Sequence, residues 1–285
     1  MPKRQLGRLL IIGGHEDKED EKLILRAVAD DVGESGKLVV ATIASQQPQG
    51  LWHDYERVFR GLGVRHVHKL EIEKREEAKS EQKLRVLDDA DAVFFTGGDQ
   101  LKITSQIGDT PIFDRLHEIH RSGGLIAGTS AGASVVCETM MVGGDGNGSN
   151  RIGVGLRMAP GFGFFKGAIV DQHFAERGRF GRLIGAVAQN PRIVGIGIDE
   201  DTAILVKGQR FFTVIGDGAV YVIDGSTVSY SNIAEERVEK TLSIYDLKIH
   251  VLTQGDTFDL SSRRPHEHSG KEIDEELLPA EAADD

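Results

Sequence analysis

Leu125-Ile126-Ala127-Gly128-Thr129-Ser130-Ala131-Gly132-Ala133 is an apolar run that enters a Gly-x-Ser-x-Gly turn and leaves it in small, helix-compatible residues. A strand, an elbow and a helix fit this pattern, because glycines beside the serine let a tight turn close where side chains would collide. Ser130 Oγ would stand exposed on the turn. The Ala131 N–H, at the start of the helix, would point to where an oxyanion forms. A Gly-rich turn without chemistry has the same spelling, so the neighbouring segments decide the matter.

Working outward, the same grammar repeats. Leu9-Leu10-Ile11-Ile12-Gly13-Gly14 reads as a buried strand closing on glycines, followed by a helix with Ile24, Val28 and Val32 on one stripe. Lys37 to Ile43 predicts a second strand, and Leu51, Tyr55, Val58, Phe59 and Leu62 mark an amphipathic helix. Val64 to Ile72 predicts a third strand, the charged stretch 73–88 an exposed helix, and Ala92 to Gly98 a fourth strand. Ile112, Phe113, Leu116 and Ile119 place a helix before the elbow strand. Apolar strands alternating with helices predict an α/β fold, a doubly wound and mostly parallel sheet covered on both faces. After the elbow, Gly167–Gln172 and Ile193–Ile198 read as further core strands. Residues 203–252 carry short strands and Gly turns, a β-rich extension of the same domain. The Gly143–Asn150 loop lacks the later acid of a calcium loop and the Lys-Ser/Thr of a P-loop, so it reads as a mobile loop, with a lid as the sharper reading.

With 285 residues the chain can bury a substantial core. It has no membrane-length apolar run and no signal-peptide core. Cys137 is the only cysteine, which excludes internal disulfides and Cys-rich metal sites, and the expected compartment is the cytoplasm. Of the net charge of −11, residues 266–285 hold eight acids against one lysine, or −7. The expected organisation is one domain over 1–264 and a disordered acidic tail over 265–285. No basic stripe supports nucleic-acid binding.

A nucleophilic serine needs a base, and the base needs an orienting acid. His173 follows the strand at Ala168-Ile169-Val170, and Glu200 follows Ile196-Gly197-Ile198. Strand carboxyl ends gather on one edge of a doubly wound sheet, so Ser130, His173 and Glu200 fall where ligands bind. Asp199 and Asp201 flank Glu200, and strand register leaves either open as the acid. The order Ser, His, acid differs from that of ordinary α/β-hydrolases and argues against a lipase or esterase. His66 and His68 share a strand face and could hold a metal in principle, but without a carboxylate pattern they read as a solvated or satisfied pair; His117 with His120 reads as a surface pair, and Cys137 as a small core residue two helical turns past Ser130. Arg177, Arg179 and Arg182 crowd the start of a helix marked by Phe180, Leu183, Ile184 and Val187. Cations are unfavourable there unless an anion is bound. Guanidinium forks suit carboxylates, so the segment reads as a subsite for an acidic substrate.

These residues resemble the cyanophycinase family, serine exopeptidases related to peptidase E, the aspartyl dipeptidase. The resemblance runs from about Leu9 to Leu252. It is carried by Phe95-Thr96-Gly97-Gly98-Asp99-Gln100, the Gly128–Ala133 elbow, Asp171-Gln172-His173-Phe174 with the arginine segment, and Gly195 to Thr202. It implies a flavodoxin-like sheet akin to class I glutamine amidotransferases, and a Ser130–His173–Glu200 triad. It further implies that Gly98 joins Ala131 in the oxyanion hole, and that Gln100, Asp171, Gln172, Arg177, Arg179 and Arg182 line the substrate pocket. The implied substrate is cyanophycin, a poly-aspartate with arginine on each side-chain carboxyl, cut to β-Asp-Arg dipeptides without metal or cofactor. A homodimer is implied by the resemblance alone. Rival readings are an aspartyl or isoaspartyl dipeptidase and a non-catalytic cyanophycin-binding protein. A glutamine amidotransferase is disfavoured because the elbow carries serine where those enzymes use cysteine.

Overall fold

Apolar runs four or five residues long, each closing on a turn, form the centre of the molecule. A computed structural model describes residues 6–143, 156–235 and 240–266. The parallel strands are β1 (Leu9–Ile12), β2 (Lys37–Ala41), β3 (His66–Leu70), β4 (Ala92–Phe95) and β5 (Leu125–Thr129). They are ordered β1-β5-β4-β2-β3. Successive residues of β1 serve opposite cores. Leu9 and Ile11 pack with helices α4 (Gln100–Ile107), α5 (Pro111–Arg121) and α6 (Ala131–Val135). Leu10 and Ile12 pack with α1 (Leu23–Val32) and α2 (Pro48–Gly61). A sheet covered on both faces has no polar side to its strands, which is why β1, β4 and β5 read as unbroken apolar runs.

The doubly wound half is as expected, with local differences. The charged stretch 73–88 is not one helix. It splits into a 3-10 turn (Arg75–Lys79) and the short α3 (Glu81–Arg85), because Ala78 and Leu87 are its only fully buried apolar anchors. Helix α4 was not foreseen; Asp99 caps it, accepting from the Leu101 N–H at 2.8 Å. Helix α6 ends at Val135, so Cys137 lies beyond it rather than on it, buried and bridged to Phe165, its thiol pushed up to about 12 by burial. His66 and His68 are exposed on edge strand β3. His117 and His120 are not a surface pair: His117 stacks on Phe164, and buried His120 meets the same ring edge-on.

Past the elbow the chain makes a hairpin of β6 (Thr139–Met141) and β7 (Met158–Pro160). Next come β8 (Ala168–Gln172), helix α7 (Phe180–Gln189) and β9 (Val194–Ile198). Strands β8 and β9 pair with each other in parallel but do not join the main sheet. They belong to a separate four-stranded sheet with β12 (Val220–Asp224) and β15 (Lys248–Leu252). Their place beside β1 is taken by β10 (Thr202–Lys207), which runs antiparallel to it. Next to β10 lie β11 (Phe211–Gly216), β16 (Thr257–Asp259) and β17 (Arg264–His266), completing nine strands. A two-stranded ribbon, β13 (Tyr230–Ser231) with β14 (Ile244–Tyr245), lies apart. The β-rich segment is therefore shared between both sheets. Only Asp199, Glu200 and Asp201 separate β9 of the small sheet from β10 of the large one. The tail expected from residue 265 starts later than that: Pro265 and His266, in β17, pair with Phe258 and Thr257. Most of the Gly143–Asn150 loop, and residues 267–285 of the expected acidic tail, lie outside the described residues.

Candidate active site

The site forms where the end of β1 meets that crossover. Gly13 donates its N–H to the Thr202 carbonyl at 2.8 Å, and its own carbonyl accepts from the His173 N–H at 2.9 Å. The Gly14 carbonyl accepts from Asp201 N–H at 2.9 Å. Two glycines thus tie three segments together. Gly14 holds a φ of +107°, and a Cβ there would stand 2.3 Å from His173 Cε1, so only glycine admits the ring. Ser130 (φ 53°), His173 (φ 48°), Asp201 (φ 46°) and His15 (φ 49°) all adopt left-handed backbone, strain of the kind that gathers where geometry is dictated by function.

Ser130 sits between β5 and α6 as the elbow requires, its N–H donating to the Ile12 carbonyl at 3.1 Å. Its Oγ lies 2.9 Å from His173 Nε2, and His173 Nδ1 lies 2.7 Å from Glu200 Oε1. Of the three consecutive acids, Glu200 is the one that meets the imidazole. Asp199 accepts from the Ala175 N–H at 2.9 Å and the Ala219 N–H at 3.3 Å, and Asp201 accepts from the Asp17 N–H at 2.7 Å. Burial holds the His173 pKa below the usual imidazole value, and the nearby Arg177 charge adds to this, against the opposing pull of Glu200. Burial alone would raise Glu200, but hydrogen bonds and charge from His173 and His15 outweigh it and leave the carboxyl below its usual value. A neutral imidazole between a serine and a carboxylate is set to accept a proton.

The Gly97–Gly98 turn after β4 lies against the serine: a Cβ on Gly97 would sit 3.4 Å from Ser130 Cβ. Gly98 holds a φ of +141°, and a Cβ there would fall 2.2 Å from the Ala44 carbonyl oxygen. Ala131 is the first residue of α6, so its N–H has no carbonyl partner within the helix. Gln100 begins α4 and donates through Nε2 to the Met141 carbonyl at 3.0 Å. Gln172 accepts from Ser134 Oγ at 3.3 Å.

The arginine segment is arranged differently from the sequence expectation. The anion that balances the start of α7 is the protein's own Asp171, fully buried. Arg182, itself buried, grips Asp171 with its fork, Nε to Oδ2 at 2.6 Å and a second bond to Oδ1. Arg179 reaches Asp171 Oδ1 at 3.2 Å and also the Gln172 carbonyl. Its pKa falls to about 10, chiefly through burial. Asp171 and Arg182 therefore meet each other rather than open space, because a carboxylate this deep needs cations beside it. Arg177 differs: it is exposed and, among the described residues, forms no ion pair.

Sequence reasoning missed two residues directly after Gly13-Gly14. His15 Nδ1 lies 3.0 Å from Glu200 Oε2, on the carboxylate oxygen that His173 leaves free. Glu16 is buried behind the elbow and accepts from Thr129 Oγ1 at 2.5 Å, from the Tyr55 hydroxyl, and from Lys18 Nζ at 2.9 Å. It braces the residue that precedes Ser130. The available signal was position alone, directly after a strand that closes on glycines.

Comparison with known proteins agrees with this architecture. The sequence profile of peptidase family S51 matches residues 9–214. The cyanophycinase of Trichormus variabilis is 37% identical over 264 residues, 92% of this chain and 88% of that one. That of Synechococcus elongatus is 36% identical over 261 residues, 90% of this chain and 80% of that one. The crystal structure of a peptidase from an acI-B1 Actinobacterium superposes with a TM-score of 0.66. It is 22% identical, covers 90% of this chain and 98% of its own, and bears on the fold.

Proposed function

This chain belongs to peptidase family S51, and on that premise we propose that it is a serine-type exopeptidase that hydrolyses cyanophycin to β-Asp-Arg dipeptides. The observation that carries the reading is the continuous contact from Ser130 Oγ through the His173 ring to Glu200. His173 Nε2 takes the Ser130 proton as Oγ attacks a backbone carbonyl of the substrate, and Glu200 holds the ring in the tautomer that leaves Nε2 free. The N–H groups of Gly98 and Ala131 receive the oxyanion. His173 then gives its proton to the leaving amine, and water hydrolyses the acyl-enzyme by the same steps in reverse.

The arginines divide into two roles. Arg179 and Arg182 hold Asp171 and so fix the strand end that presents His173, whereas Arg177 is free to meet a substrate carboxylate. Arg177→Ala is expected to raise KM about tenfold with kcat nearly unchanged and the melting temperature unmoved, because it removes one binding contact from an exposed residue. Steady-state kinetics with a thermal melt distinguish this from a loss of structure.

The acid side of the pH profile follows from His173. The base must be neutral, and its pKa lies below 6.5. Activity should persist below pH 6.5 and fall tenfold per pH unit only beneath that lowered value. A kcat/KM profile that already falls from pH 7 would contradict this assignment.

The test of the function itself is digestion of purified cyanophycin with mass spectrometry of the products. β-Asp-Arg as the sole small product supports the reading. Turnover of free aspartyl or isoaspartyl dipeptides without attack on the polymer would replace it with the dipeptidase reading.

A further inference from the structure

We propose that His15, His173 and Glu200 form an inhibitory site for a transition-metal dication of the zinc type. This rests on the reading of His173 and Glu200 as base and acid. Each of the three residues offers one ligand atom, and these atoms lie within 4.8 Å of one another. His15 Nδ1 is 3.0 Å from one carboxylate oxygen of Glu200, and His173 Nδ1 is 2.7 Å from the other. The two rings stand edge to face, 5.1 Å between centroids.

Two imidazoles and a carboxylate are a donor set that suits zinc, and they leave its fourth position to water. Tetrahedral zinc with bonds of about 2.0–2.2 Å sets its ligand atoms roughly 3.3 Å apart. The widest separation in the trio must therefore close by up to about 1.5 Å, while the 2.7 Å contact of His173 Nδ1 with Glu200 opens by roughly 0.6 Å to admit the ion. His15 can supply the movement, because its side chain is 71% exposed. The same exposure gives the ion a path from solvent. Among the described residues no other group of three such side chains comes together this way.

The consequence for catalysis is a change of tautomer. In the resting site His173 carries its proton on Nδ1, facing Glu200, and Nε2 accepts from Ser130. A metal ion on Nδ1 displaces that proton, which the neutral ring takes up on Nε2. Nε2–H then donates to Ser130 Oγ and no longer accepts from it. The ring has one proton before and after, and no redox change occurs. Ser130 has lost its base.

The test uses the full chain, with zinc alone as the probe and each variant compared with its own zinc-free rate. Wild-type protein is expected to bind one zinc ion per chain at this site by calorimetry, to lose its peptidase activity as that site fills, and to recover it with chelator. His15→Ala is expected to weaken both binding and inhibition at least about tenfold, since one of three protein ligands is gone. His66→Ala, on the exposed His66–His68 edge, should change neither. Co2+ in place of zinc should give visible absorption that the His15 variant loses. Inhibition and stoichiometry undiminished in His15→Ala would overturn the site, as would filling of a His15-dependent site without loss of activity. Failure of the catalytic reading looks different. Ser130→Ala would then still hydrolyse polymer, whereas zinc binding does not use Ser130 and is expected unchanged in that variant.

Discussion

Ser130→Ala is expected to lower kcat on cyanophycin by about 10⁶-fold, to the point where no dipeptide is detected by mass spectrometry, while the folded state is retained. The size of the effect follows from the geometry. In the proposed mechanism His173 and Glu200 act only through the 2.9 Å contact to Ser130 Oγ, so removing the hydroxyl would silence all three at once. What survives is the binding of substrate and the oxyanion N–H groups, worth roughly 10³–10⁴ over the uncatalysed reaction. The fold survives because the Ser130 backbone, not its hydroxyl, makes the elbow: its N–H bonds the Ile12 carbonyl, and alanine fits the same space. A left-handed φ costs alanine more than glycine but no more than serine. Circular dichroism matching wild type alongside absent turnover is the expected pair of results. Equal activity in both proteins would reduce the elbow to a turn and remove the serine mechanism.

Asp171→Ala gives the largest expected loss of stability, about 3–5 kcal/mol, read as a fall in melting temperature on the order of 10 °C. Asp171 is fully buried and holds Arg182 and Arg179. Deleting it takes from Arg182 and Arg179 the carboxylate that both of them bond, and the loss of that counter-charge in a buried place, not the lost attraction alone, sets the cost. The arginines also sit at the start of α7, where the helix dipole already disfavours cations. Activity should fall as well, since Asp171 lies two residues before His173 on the strand that presents the base. Asp171→Asn, which keeps one acceptor oxygen but loses the charge and turns an NH2 donor toward a guanidinium N–H, is expected to fall between wild type and alanine. A melting temperature within 2 °C of wild type (roughly 1 kcal/mol or less) for Asp171→Ala would mean that the arginines find other partners.

The parts that were legible in the sequence are those governed by local pattern. The alternation of apolar runs with amphipathic helices gave the parallel half of the sheet because each such strand is buried on both faces by its own flanking helices. Ser130, His173 and Glu200 stood out because each follows a run that ends in a turn, and strand ends are where a chain changes direction toward a site. Sheet membership was not legible. The runs at 168–172 and 194–198 spell buried strands equally well in either sheet, and β10 rather than β8 or β9 takes the place next to β1. Pairing between side chains far apart in sequence was likewise hidden. Nothing near Asp171 announces that its charge is directed inward to the arginines eight and eleven residues on, and nothing near Glu16 announces Thr129 113 residues later. His15 was overlooked for the same reason, since its partner Glu200 is 185 residues away.

The crossover at residues 199–201 also bears on the order in which the chain is made. A ribosome delivers β1 first, the serine elbow near the middle, and His173 and Glu200 later still. Until β10 has emerged and settled beside β1, the Gly13–Gly14 turn has no partner at Thr202 or Asp201, and the imidazole has no fixed place. Ser130 is then an ordinary alcohol on a growing polypeptide, unable to acylate. On the proposed mechanism the serine gains its base only when residues some seventy positions after it have been made, so a nascent chain, or one truncated before β10, would carry Ser130 without the groups that activate it.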